Sequence, residues 1–264
     1  MSQLEQVMKS RKSVRAYDST YKIEKKELEE IIELATSAPS SSNLQSWRFI
    51  VIQDQELKKE LREIGNNQAQ IEDSSAIIAV LGDTEAYRNV EEIYEQNVSL
   101  GYMDQSIADR TVNNTQSLYP NLPKPILTQI ASYDAGLISM QILLLAKERG
   151  YDTVVMGGFD KAAFAKRFEL PENQFPITLI AIGKAAAPAF NTSRLPLDKI
   201  TKFYWLIEKK CLDSWKKKGT FLKNYSNSIA EVSPAIRPNT MISATAFPPI
   251  LFPPWTPPVT SPAA

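Results

Sequence analysis

The stretch QIASYDAGLISMQILLLAKER, residues 129–149, decides how the rest of the chain is read. Apolar side chains fall on almost every side of it, which predicts a helix buried at the centre of a fold. Strand signals lie on both sides of it in the chain. WRFIVIQ, from Trp47, is apolar on both faces, as a covered strand is, and AIIAVLG (76–82) follows. YDTVVM (151–156) and ITLIAIG (177–183) supply two more. Helices are interleaved with these strands. Ser2 and Glu5 form a capping box ahead of Leu4, Val7 and Met8, and Leu28, Ile31, Ile32 and Ala35 mark a helix over 24–37 that Pro39 stops. Asp54 caps a third, carrying Leu57, Leu61 and Ile64 and closed by Gly65. Together these predict an α/β-type or mixed α+β sandwich. Residues 84–127 are acidic, aromatic and weakly periodic, and read as a peripheral lid or arm.

Composition narrows the chemistry. Thirty basic residues balance thirty acidic ones, so no global field draws the chain to nucleic acid or an acidic membrane. No apolar run approaches the roughly 18 residues that span a bilayer, and the polar N-terminus MSQLEQVMKSRK is not a secretory signal. The single cysteine, Cys211, can build neither an intrachain disulfide nor a thiolate metal site, which points to a reducing, cytoplasmic setting. There are no histidines, so imidazole bases and His-ligated metals are excluded, and no metal site is expected. Neither a GxGxxG turn nor a GxxxxGK[ST] loop occurs. An enzyme so equipped would rely on a cofactor for its difficult chemistry.

Nine of the 17 prolines lie after residue 230, a density that no helix or central strand tolerates. Residues 1–205 are therefore expected to form the folded body and 206–264 a proline-rich, disordered tail.

Five short stretches could bind a ligand, and each also has a plain structural reading. RKSVRAY (11–17) gathers Arg11, Lys12 and Arg15 around Ser13, either a solvated charge cluster or a phosphate grip. SAPSSSNLQSWRF (37–49), with Pro39, Ser40, Ser41 and Asn43, is a helix-to-strand loop that can also bring backbone up to a flat ligand. NNQAQ (66–70) sets carboxamides together, and GGFD (157–160) is either a tight turn or a place where missing side chains let a ring approach. Arg194, in FNTSRLP, is a lone surface cation or a second phosphate ligand.

In this order, with the buried helix before GGFD and KFYW (202–205) closing the body, the segments resemble the FMN-dependent nitroreductase family. The likeness is to its bacterial NAD(P)H nitroreductase or quinone reductase branch. It implies a three-layer α+β sandwich, a central mixed sheet flanked by helices, in an intertwined homodimer with FMN at the subunit interface. It also implies that Arg11, Lys12, Ser13, Arg15 and Arg194 grip the FMN phosphate, and that Pro39, Ser40, Ser41 and Asn43 line the flavin ring. Asn67 and Gln70 would reach the flavin's polar edge and ribityl chain, with Gly157 and Gly158 near the ring. Where some relatives carry Glu-Gly, this chain has Gly-Gly, so no catalytic side chain is implied there. The implied reaction is ping-pong, with NADH or NADPH as donor and a nitroaromatic, quinone or similar acceptor. Other flavin chemistry on the same scaffold, such as dehalogenation or dehydrogenation, and non-catalytic flavin binding stay open. Family members usually close near the equivalent of Trp205, so the 59 residues beyond it depart from the pattern.

Overall fold

The computed structural model describes residues 1–204. The expected tail, 206–264, and Trp205 lie outside the described residues. Met1–Arg194 forms one compact unit. Of the second, which begins at Leu195, the description includes one short helix, Leu197–Ile200.

Four strands form one sheet in the order β1-β2-β4-β3: β1 (Trp47–Ile52), β2 (Ala76–Asp83), β3 (Asp152–Met156) and β4 (Gln174–Gly183). Strand alternation divides the core. Ile78 and Val80 of β2 with Ile180 and Ile182 of β4 face Leu28 and Ile31 of α2 (Lys25–Ala35) and Ile138 and Ile142 of α7 (Lys124–Glu148). On the opposite face, Ile77, Leu81 and Leu179 pack with Leu61 of α3 (Gln55–Ile64), Ile71 of α4 (Ala69–Asp73) and Phe164 of α8 (Lys161–Arg167). The expected three-layer sandwich is therefore present.

Strand direction departs from expectation. Among the described residues all three pairings are antiparallel, and the parallel component is a single bridge between Ser13 and Thr153. Helices cover both faces of this sheet, so its strands are mostly apolar without strict alternation, a composition otherwise typical of parallel sheets. Strand β1 also differs: it is an edge, with Val51 40% exposed.

The arm at 84–127 holds two helices, α5 (Val90–Ser99) and α6 (Gln105–Leu118), over a small core of their own that includes Val90, Tyr94, Ala108 and Tyr119. Their buried positions are Val90 and Tyr94 in α5 and Ala108 and Thr115 in α6, none of them Leu or Ile, which hides the period in the sequence. α1 (Gln3–Ser10) has its expected capping box, with the Ser2 side chain accepting from the Glu5 amide.

By length and composition α7 could cross a membrane, yet one side of it is occupied by the core. The other side is not. Ile126, Tyr133 and Met140 are exposed at seven-residue intervals, and Gly136 lies exposed between the last two. Ser139 of the same helix is buried, and its hydroxyl has no hydrogen-bond partner. Ser139→Ala removes that orphan and improves helix propensity, and is expected to stabilise by about 1 kcal/mol. In a thermal melt this reads as a rise of about 2–4 °C. A lowered Tm would mean that the hydroxyl is satisfied.

Candidate functional site

The segment after α1 runs extended along the start of β3, with the Val14 amide donating to the Thr153 carbonyl at 3.1 Å. Val14 and Tyr17 plug into the core, and the Tyr17 hydroxyl donates to the Ala181 carbonyl at 3.2 Å. Burial pushes that phenol well above its ordinary pKa, so it remains a donor. This anchoring turns Arg11, Lys12 and Ser13 to the surface, half-buried, and leaves Arg15 exposed.

The partners of the arginines show what these cations are free to do. Nine arginines lie among the described residues. Five of them pair with carboxylates: Arg48 with Asp83, Arg62 with Glu72, Arg88 with Glu85, Arg149 with Glu27 and Glu30, and Arg167 with Glu60. The four without such a partner are Arg11, Arg15, Arg110 and Arg194, and three of these are the arginines singled out in the sequence. Among the described residues, Arg194 donates only to Thr192 and Ser193 of its own loop.

The two carboxamide and serine loops are strained. Six non-glycine residues have positive φ among the described residues, and five fall in these loops: Ser42, Asn43, Gln45, Asn66 and Asn67. Such conformations cost about 1–3 kcal/mol each in general, less for Asn, and persist only where surrounding contacts impose them. In the first loop those contacts are explicit. Asp134, fully buried on α7, accepts from the Ser41 amide (3.0 Å), the Ser41 hydroxyl (3.1 Å) and the Ser46 hydroxyl (2.6 Å). The Ser40 hydroxyl accepts from the Gln45 amide at 3.0 Å. Ser42 meets the Tyr119 hydroxyl at 3.0 Å, and Tyr94 donates to its carbonyl. The serine hydroxyls therefore shape the loop, while Pro39 and Asn43 are left at its exposed rim.

The second loop meets the glycine turn. Asn66 and Gln68 both donate to the Gly158 carbonyl at 3.0 Å, and Gln70, buried, donates to Gln68 at 3.0 Å. The Asp160 amide donates to the Ile64 carbonyl, and Asp160 caps α8 through the Ala163 amide. Asn67 is exposed beside this contact. Beneath it, fully buried Lys58 of α3 donates to the carbonyls of Glu72 and Ser74 and so fixes α4, and burial pushes its ammonium down to about 8. A Cβ added to Gly157 or Gly158 would meet nothing within 4 Å, and neither has positive φ. Packing does not demand glycine at either position, and the space beside both is open.

Strand β3 joins these groups. Its start carries the Ser13 bridge and its end runs into Gly157, about 13 Å apart at the usual strand rise. No hydrogen bond or ion pair among the described residues links the Ser40–Asn43 loop or Arg194 to them. Asp134, Ser46, Asn66, Gln68, Tyr94 and Tyr119 were not among the residues expected from the sequence.

The family model described as "Nitroreductase family" matches residues 8–184. The chain belongs to the nitroreductase family. It is 42% identical over 200 residues to the provisionally named NAD(P)H nitroreductase YodC of Bacillus subtilis, covering 76% of this chain and 97% of that one. A crystal structure of a provisionally assigned nitroreductase of Exiguobacterium sibiricum in complex with FMN is 40% identical, with a TM-score of 0.74, over 77% of this chain and 98% of that one. The CLA biosynthesis enone reductase of Lactiplantibacillus plantarum is 32% identical over 203 residues, 76% of this chain and 94% of that one. For this family the residues present fit a flavin mononucleotide: unpaired cations for a phosphate, and open glycine backbone where a ring could lie flat.

Proposed function

We propose that the protein is an FMN-dependent NAD(P)H oxidoreductase that reduces nitroaromatics, quinones or related acceptors by ping-pong hydride transfer. The observation that carries this reading is the set of unpaired cations, Arg11, Lys12 and Arg15, beside β3 in a chain whose relatives include FMN-bound structures. FMN, when bound, supplies a ring that takes a hydride from NADH or NADPH and passes one to the acceptor.

The chain's own work is binding and orientation. Arg11, Lys12, Ser13 and Arg15, with Arg194, would hold the phosphate, since guanidinium forks match phosphate oxygens. Asn67 and Gln70 would meet polar atoms of the cofactor. Pro39, Ser40, Ser41 and Asn43 would border the ring on one side, with Gly157 and Gly158 leaving room for it on the other. With no histidine in the chain, no imidazole serves as acid or base.

The working form is a homodimer. The exposed Ile126–Tyr133–Met140 stripe of α7, with Gly136, has the seven-residue spacing of a helix-packing seam. The exposed Leu4 and Met8 of α1 add to the apolar surface that a second copy would cover. At the sheet edge, a groove of about 310 Å³ lined by Leu28, Ile32, Val51 and Gln53 is open to the closing segment of that copy. The reading assigns residues 1–205 to the flavin domain and gives 206–264 no part in the chemistry. It places the enzyme in the cytoplasm, in keeping with its lone cysteine.

Gly157→Val and Gly158→Val test the ring's position. Because neither Cβ meets a neighbour, the flavin-free variants should melt as the wild type does, whereas FMN affinity or turnover should fall. Normal FMN binding and wild-type turnover in both would remove the turn from the site.

Reduction of an activated carbon–carbon double bond is a second reading, supported by the likeness to the enone reductase in sequence and in fold, where its TM-score is 0.69. A steady-state panel of quinones, nitroaromatics and enones with NADH and NADPH separates the two. Absence of turnover with every pair would leave only flavin binding.

A further inference from the structure

We propose that Asp134 is a positioning residue for the flavin site: acting through Ser41 and Ser46, it holds the strained Ser40–Gln45 loop in the shape that meets FMN. The inference rests on the reading of the protein as an FMN-dependent enzyme.

Asp134 sits in the buried face of α7 among Ala131, Ala135 and Ile138. No lysine or arginine forms an ion pair with it among the described residues, and an apolar side chain would suit that position for packing alone. A buried carboxyl group is costly unless donors surround it. Here all three donors come from one loop: the Ser41 amide and hydroxyl on Oδ1, and the Ser46 hydroxyl on Oδ2. Between these two serines lie Ser42, Asn43 and Gln45, all in the left-handed region. The carboxyl group thus grips both ends of the segment in which the backbone is least relaxed. The loop's other supports come from the arm and the sheet: Tyr119 and Tyr94 at Ser42, Arg48 at the Gln45 carbonyl, and the Asp83 amide at the Ser46 carbonyl. Among the described residues, Asp134 is the one side chain of α7 that hydrogen-bonds to this segment.

A group placed to hold a functional loop differs from one that only stabilises the core in what its loss changes. Asp134→Asn keeps the volume and one acceptor oxygen but turns an NH2 group toward a donor. FMN titration of the full-length protein, followed by flavin fluorescence, is expected to show the dissociation constant rising about tenfold or more, the scale of one charge-assisted hydrogen bond. The bound-flavin visible spectrum should shift. In the flavin-free protein, hydrogen exchange at the Ser41 amide should quicken. Ser139→Ala, on the same helix but outside the network, should change none of the three. If Asp134→Asn does not fold, Ser46→Ala takes its place, deleting one donor and weakening FMN by about threefold or more.

A lowered Tm with wild-type FMN affinity and spectrum would overturn the inference and leave Asp134 a structural residue. A wild-type protein that binds no FMN would overturn the functional reading and the inference with it. Wild-type binding that neither variant disturbs overturns the inference alone.

Discussion

Changing Arg11 or Arg15 to alanine is expected to raise the FMN dissociation constant by about ten- to a hundredfold. Each removes a charge-assisted contact of about 1.5–3 kcal/mol, and about 1.4 kcal/mol is a factor of ten. Neither arginine has a carboxylate partner among the described residues, so its removal strands no buried charge, and the flavin-free variants should keep the wild-type Tm. That combination, lost affinity without lost stability, distinguishes a ligand grip from a structural ion pair. Arg149, which bridges Glu27 and Glu30, is the contrasting case. Fluorescence titration giving unchanged FMN affinity in both variants would remove the phosphate from this segment.

The second large effect is expected from Gly136→Arg. A Cβ at Gly136 meets nothing within 4 Å, so a single protomer accommodates the new side chain at little cost beyond helix propensity. In a dimer packed along the Ile126–Tyr133–Met140 stripe, that side chain would sit at the seam where two helices approach closely. A charge forced into such an apolar contact goes uncompensated. Size-exclusion chromatography with light scattering should show half the wild-type mass, with flavin content falling in parallel. A variant that remains dimeric and yellow would move the interface away from this face of α7.

Much of the fold was legible because its signals were local. The Ser2 capping box, the Asp54 cap and the apolar runs at 76–82 and 177–183 each fix an element without reference to anything distant. Strand direction was not legible, because helices on both faces of the sheet give antiparallel strands the composition of parallel ones. The helices at 90–99 and 105–118 were hidden for a different reason, since each buries only two positions, none of them Leu or Ile, and the apolar period is correspondingly faint.

The site divides the same way. The cations at 11–15 and the paired glycines are contiguous in sequence, so both can be singled out without the fold. Asp134 lies about ninety residues from the serines it holds, and nothing local in an apolar helix announces that partnership. A lone acid in an otherwise buried helical stretch was its one available signal. Gln68 stood inside a stretch already noted, but only the fold shows that it, and not Asn67, reaches Gly158. The left-handed conformations at Ser42, Asn43 and Gln45 are set by tertiary contacts and have no signature in residue type alone, Asn43 excepted.

The most direct test is anaerobic mixing of the FMN-loaded protein with NADH or NADPH, followed by addition of a quinone in the absence of free nucleotide. The predicted result is bleaching of the visible flavin band by one or both nucleotides, then its full return on adding the acceptor, with one equivalent of acceptor reduced per flavin. A protein that binds FMN but whose flavin neither nucleotide bleaches would contradict the assignment as an NAD(P)H oxidoreductase.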